Sequence, residues 1–203
     1  VITTGNHAFK RREIYDYFSS HEQVIRPANY PPAAPGAGVY RYDGGAFSLL
    51  VINLQGTSFM EPIENPFLAV DRILREEEKA TFTVVDFHAE ATGEKKAMGF
   101  YLDGRVSAVF GTHTHVQTAD EEILPNGTAY LTDVGMTGPA YSALGVKPAC
   151  VIERLRTSLP TRFEVEQEAP CRMDGVFAEF ALICSSRSRR PSGLRKTNLI
   201  DNS

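Results

Sequence analysis

Cysteine is scarce in this chain, and the little there is forms no pattern. The three cysteines, Cys150, Cys171 and Cys184, are far apart, odd in number and never spaced as Cys-x-x-Cys. That argues against a disulfide framework and for a reducing cytoplasm. Long apolar runs are missing too: nothing approaches the ~18 residues of a membrane-spanning helix, and no signal peptide precedes the first motif. There is no internal repeat. An initiator methionine is also absent, and Val1-Ile2-Thr3-Thr4 reads like a strand entered midway. The chain is therefore expected to lack its natural beginning. Positive charge is short as well. The net charge is −4, and from Ser185 onward five basic residues (Arg187, Arg189, Arg190, Arg195, Lys196) face one acid, leaving a body of −8. An acidic body is poorly suited to a nucleic-acid backbone, but it can handle a phosphate ester if a metal supplies the positive charge.

What is present amounts to one globular domain, large enough for a real core. Residues 10–20 read as a helix with Ile14 and Phe18 on one face. Residues 26–38, crowded with Pro, Ala and Gly, read as an irregular surface loop that either borders a pocket or merely crosses the surface. Residues 46–54 form a continuous apolar run, a buried strand. Asn65-Pro66 opens a helix to about residue 79, with Phe67, Val70 and Leu74 inward. Strands over 81–87 and 106–110 flank a helix over 94–102. Residues 122–124 and 128–132 form a hairpin on Asn126-Gly127. A glycine-rich loop over 134–139, a helix over 151–158 and a strand over 162–167 complete the expectation. Strand and helix alternate, with ligand-type residues after the strands, which implies an α/β domain with its chemistry at a sheet edge.

Histidine is rare, and its placement is informative. Of five histidines, four lie in three short motifs, and only His21 stands outside them. The motifs are Gly5-Asn6-His7, Asp86-Phe87-His88-Ala89-Glu90 and Gly111-Thr112-His113-Thr114-His115. In an extended segment, His113 and His115 would share a side, close enough to ligate one ion or two neighbouring ions. An isolated His-x-His also arises by chance, with one ring a hydrogen-bonded core residue. His88 and Asn6-His7 behind other strand-like runs favour ligands. Asp86 is either a partner that fixes the tautomer of His88 or an ordinary strand-terminal acid. Asn6 reads as a turn residue or a weak neutral oxygen ligand, and His7 could hydrogen-bond a leaving-group oxygen, as a general acid must. Imidazole and oxygen without thiolate suit Mn, Fe or Zn in a hydrolytic site rather than a structural zinc.

Four longer runs carry a resemblance: Thr4-Gly5-Asn6-His7, Val85-Asp86-Phe87-His88-Ala89-Glu90-Ala91-Thr92, Gly111-Thr112-His113-Thr114-His115-Val116-Gln117-Thr118-Ala119-Asp120 and Thr132-Asp133-Val134-Gly135-Met136-Thr137-Gly138-Pro139. With Arg26-Pro27-Ala28-Asn29-Tyr30-Pro31 and Tyr101-Leu102-Asp103-Gly104-Arg105, they closely resemble the bacterial YmdB-type phosphodiesterases, a branch of the calcineurin-like metallophosphoesterases. The likeness runs over residues 1–181, and residues 182–203 are expected to be an atypical, disordered basic tail. The resemblance implies a four-layer α/β/β/α sandwich and two divalent metal ions, iron or manganese ahead of zinc or magnesium. It implies hydrolysis of cyclic nucleotides or related small phosphodiesters. It makes Asn6, His88 and His113 ligands of one metal, His115 a ligand of the other, and His7 the acid.

Two departures qualify it. The family's earlier segments, carrying an Asp ligand, a Glu that bridges both metals and an Asn, do not precede Val1, so residues 1–203 alone are expected to be impaired, with an open sheet edge that favours self-association. The tail does not match the family's closing strand. The alternative reading is an inactive remnant that binds one metal weakly, or a binding module in which Arg187-Ser188-Arg189-Arg190 contacts RNA.

Overall fold

The computed structural model of the protein describes residues 1–181 and 191–201. Its main sheet includes β4 (Ser48–Gln55), buried over its last six residues, as the apolar run demanded. Earlier in the chain come β1 (Ile2–Thr3), α1 (Ile14–Ser20), β2 (Val24–Ile25) and β3 (Val39–Asp43). After it, α2 (Pro66–Glu76), β5 (Phe82–His88), α3 (Thr92–Leu102) and β6 (Ala108–Thr112) follow in alternation. The hairpin strands are β7 (Glu122–Ile123) and β8 (Ala129–Leu131), and β9 (Thr137–Pro139), α4 (Pro148–Thr157), β10 (Cys171–Phe180) and β11 (Pro191–Asp201) close the chain. The main sheet runs β3-β4-β5-β6-β8-β7, parallel across its centre and antiparallel at both edges. The α/β class expected from the sequence is thus present, in a mixed central sheet.

The local causes are legible. Asn65 caps α2, its side chain accepting from the amides of Phe67 and Leu68, with Pro66 in the first turn. Ala69, Val70 and Ile73 of that helix join Leu50, Ile52 and Leu54 of β4 in the principal core, while Phe67 and Leu74 pack only partly against it. The hairpin turns on Asn126-Gly127, and the Asp103 carboxylate holds it by accepting from the amides of Asn126 at 2.9 Å and Thr128 at 3.3 Å.

β1 and β2 form a small parallel sheet of their own. The buried Asn53 side chain fastens it to β4, donating to the Thr4 carbonyl at 2.8 Å. That bond matters for the site, because Thr4 leads straight into Gly5-Asn6-His7.

Four expectations need correction. The segment after residue 26 does not merely cross the surface: Arg26 and Asn29 are buried pegs. Arg26 donates to the carbonyls of Pro27, Ala34 and Pro35, and Asn29 exchanges bonds with the Gln55 backbone. Part of the glycine-rich loop is a strand, β9, pairing with β10. Residues 162–167 make no strand, only a bridge between Val165 and Val146. The tail expected to be disordered pairs over Pro191–Asp201 as β11 against β10. Its Thr197 and Ile200 are β-branched residue types that favour strands, and a ten-residue partner satisfies the backbone. Cys184 and the Arg187–Arg190 run lie outside the described residues. Cys150 and Cys171 are free thiols.

Candidate active site

The central strands deliver their side chains at one edge. In register, Gln55, His88 and Thr112 stand side by side at the carboxyl ends of β4, β5 and β6, which is where open α/β sheets bind ligands. A cleft of about 400 Å³ lies there, lined by Asn6, His7, His88, His113 and His115 together with Gly5, Glu90, Thr114 and Leu144. All five residues singled out from the sequence therefore reach one cleft.

Three of them converge at atomic distance. His88 Nε2 lies 3.0 Å from Asn6 Oδ1 and 3.1 Å from His113 Nδ1. The outward ring nitrogens are also engaged. His88 Nδ1 is 3.0 Å from Thr112 Oγ1, whose hydroxyl donates to Asp86 Oδ1 at 2.7 Å. His113 Nε2 meets Glu90 Oε2 at 3.0 Å. Because the Thr112 proton goes to Asp86, its oxygen accepts from His88 Nδ1–H, and Glu90 accepts from His113 Nε2–H. These bonds assign the tautomers. Each neutral ring then spends its one proton outward, so an amide oxygen and two imidazole lone pairs face one another with no proton between them. Burial, with help from the neighbouring His113, pushes His88 down to about 3, and burial also lowers His113. Both rings are held neutral, as a metal ligand must be.

This arrangement fits a divalent cation. Donors set at right angles about 2.1 Å from a shared ion stand about 3.0 Å apart, close to the spacings found here. Among the described residues no three His, Cys, Asp or Glu side chains surround one point, so the set depends on the Asn6 amide. His115 and His7 line the same cleft without direct bonds to the trio.

Asp86 turns out to be the remote member of a His88–Thr112–Asp86 chain rather than a plain strand-end acid. The Thr3 and Thr112 hydroxyls bond its carboxylate, yet burial dominates and raises it to about 6. Thr112→Val should cut this chain, and we expect manganese affinity to fall by about 10–100-fold. Titration calorimetry on the variant reads this, and unchanged affinity would remove Thr112 from the account.

Backbone shape departs from expectation at the histidine pair. β6 ends at Thr112, and His113 and His115 take positive φ of 104° and 63°. They share the cleft because the chain turns, not through strand alternation. A buried ion pair holds that turn. Lys95 Nζ of α3 lies 2.7 Å from Asp133 Oδ2, and the same carboxylate accepts from the amides of Thr114 at 3.1 Å and Gly135 at 2.9 Å. Glycine is required twice nearby. A Cβ on Gly5 would fall 2.2 Å from the His88 ring, and one on Gly111 would fall 1.7 Å from the Thr132 carbonyl. Sequence reasoning missed Glu90, Thr112, Lys95 and Asp133 as site-builders. One signal was there: Lys95 shares the buried face of α3 with Met98, Gly99 and Leu102, an apolar spacing interrupted by a cation.

Comparison with known proteins gives concordant matches. The model of the family described as YmdB-like protein matches residues 1–186. The chain is 51% identical over 177 residues to the 2′,3′-cyclic-nucleotide 2′-phosphodiesterase of Bacillus subtilis (strain 168), covering 87% of this chain and 67% of that protein. The structure superposes on a hypothetical protein from Thermus thermophilus with a TM-score of 0.88 at 41% identity, covering 99% of this chain and 76% of the other. It also superposes on a protein described as a novel phosphatase from Mycoplasma pneumoniae, with a TM-score of 0.87 at 31% identity, covering 99% and 72%. The chain spans about two thirds of the length of the curated relatives it matches.

Proposed function

The chain belongs to the YmdB-like protein family, and from that premise we propose that it is a metal-dependent phosphodiesterase opening 2′,3′-cyclic nucleotides. The observation that carries the reading is the convergence of Asn6 Oδ1, His88 Nε2 and His113 Nδ1, with the other ring nitrogen of each of these two histidines engaged by Thr112 or Glu90. The B. subtilis relative's name supports the substrate class. A small phosphodiester fits a cleft of about 400 Å³. Among the described residues no helix is long and apolar enough to cross a membrane.

In this reading Asn6, His88 and His113 hold one divalent ion, iron or manganese, and His115 serves a second. When bound, such ions supply positive charge to the phosphoryl oxygens and activate water for in-line attack. The chain's own residues do the rest. Thr112 and Glu90 fix the ring tautomers, and the Asp133-anchored turn sets the positions of His113 and His115. His7, exposed at the mouth, gives its proton to the departing O2′ as water adds to phosphorus and the P–O2′ bond breaks, leaving a nucleoside 3′-phosphate. Glu90 is the single carboxylate lining the cleft among the described residues, and it is engaged with His113. We therefore expect activity to keep rising with added manganese rather than saturate at stoichiometric metal.

The test is hydrolysis of 2′,3′-cyclic AMP with manganese by His7→Ala. Turnover should fall by about 10²–10⁴-fold, the usual share of a general acid, with manganese content unchanged. The comparison is made in a chain that also carries the family's preceding Asp and Glu segments: loss of manganese would make His7 a ligand, and silence of that longer chain with every divalent metal would defeat the enzymatic reading.

A further inference from the structure

Among the described residues the cleft is lined by one apolar side chain beside polar ones, and it stands in a conformation that leucine disfavours. Leu144 and Gly145 are the two central residues of a tight turn closed by paired backbone bonds between Ala143 and Val146, at 2.8 and 3.1 Å. Their φ values are 57° and 89°, the signature of a type I′ turn, which asks for Asn-Gly or Asp-Gly. Leucine pays a steric cost there that asparagine largely avoids. Burial offsets little of that cost: Leu144 is 52% exposed and lies outside both buried apolar clusters. The turn itself is firmly built. Ser142 Oγ donates to the Pro139 carbonyl at 2.7 Å and accepts from the Gly145 amide at 2.9 Å, and the Glu166 amide bonds the Gly145 carbonyl at 2.9 Å. A rigid turn thus presents a strained, solvent-facing apolar group to the same cleft as Asn6, His7 and His113.

Observed strain that burial offsets so little is a pointer to function, and nucleotide sites pair a few polar groups with apolar surface for the base. We infer that Leu144 is the specificity residue that packs against the nucleobase of the substrate, while the histidine cluster takes its phosphate. This rests on the phosphodiesterase reading above and adds a base-recognition element to it.

The test compares Leu144→Asn with the unaltered chain, both manganese-loaded, by calorimetric binding of adenosine 3′-phosphate and of inorganic phosphate. The expected result is a Tm equal to or above that of the parent, adenosine 3′-phosphate weakened roughly tenfold, and inorganic phosphate unchanged. In turnover, KM for 2′,3′-cyclic AMP should rise while kcat/KM for base-free glycerol 1,2-cyclic phosphate holds. A lowered Tm, or equal weakening of both ligands, would make Leu144 a structural residue and overturn the assignment. Unchanged binding of both would overturn it while leaving the phosphodiesterase reading intact. A parent chain that binds neither ligand would take both readings down together.

Discussion

Lys95→Met should be the most damaging single substitution in this protein, costing about 3–5 kcal/mol of stability. Lys95 and Asp133 are both almost fully buried and lie 2.7 Å apart. Methionine fills the space but leaves the buried carboxylate without its counter-charge, and a stranded buried charge is far more costly than an absent pair. The consequence should reach the site. Asp133 also accepts from the amides of Thr114 and Gly135, so disturbing it releases the turn that carries His113 and His115. Chemical denaturation and manganese titration should therefore both show losses. Adding Asp133→Asn to the variant removes the stranded charge and should restore part of the stability. A Lys95→Met protein within about 1 kcal/mol of the parent would mean that the pair contributes little beyond packing.

His88→Ala should have the largest effect on the site with the smallest effect on the fold. His88 is the shared member of the trio, its Nε2 lying within 3.1 Å of both other donor atoms. Removing it leaves an amide oxygen and one imidazole with nothing between them. Manganese affinity should fall by more than the roughly 10–100-fold expected for an outer partner such as Thr112. Turnover should follow, while far-UV circular dichroism stays that of the parent. Retained affinity would show that Asn6 and His113 do not act through His88.

The contrast between these two residues shows what was legible in the sequence. His88 stood out because a rare residue followed an apolar run, and rare polar residues at strand ends are seldom there for packing. β4, β5, β6, the capped α2 and the Asn-Gly hairpin were readable for the same reason: period and turn chemistry are local. The Lys95–Asp133 pair spans 38 positions, and no local pattern announces a partner that far along the chain. The positive φ of His113 and His115 was hidden because β-branched and aromatic neighbours favour an extended reading. The same strand propensity left β11 unnoticed behind a basic composition that reads as solvated. Leu144 looked like an ordinary apolar residue beside a glycine, and its significance appears only once the turn around it is known.

The central claim is that Asn6 Oδ1, His88 Nε2 and His113 Nδ1 form one binding point for a divalent cation. Crystals grown with manganese and measured at its absorption edge address it directly. The account predicts an anomalous peak within about 2.3 Å of all three atoms, absent from the His88→Ala protein. A peak elsewhere in the cleft, or none at saturating manganese while the three atoms keep their spacing, would contradict it.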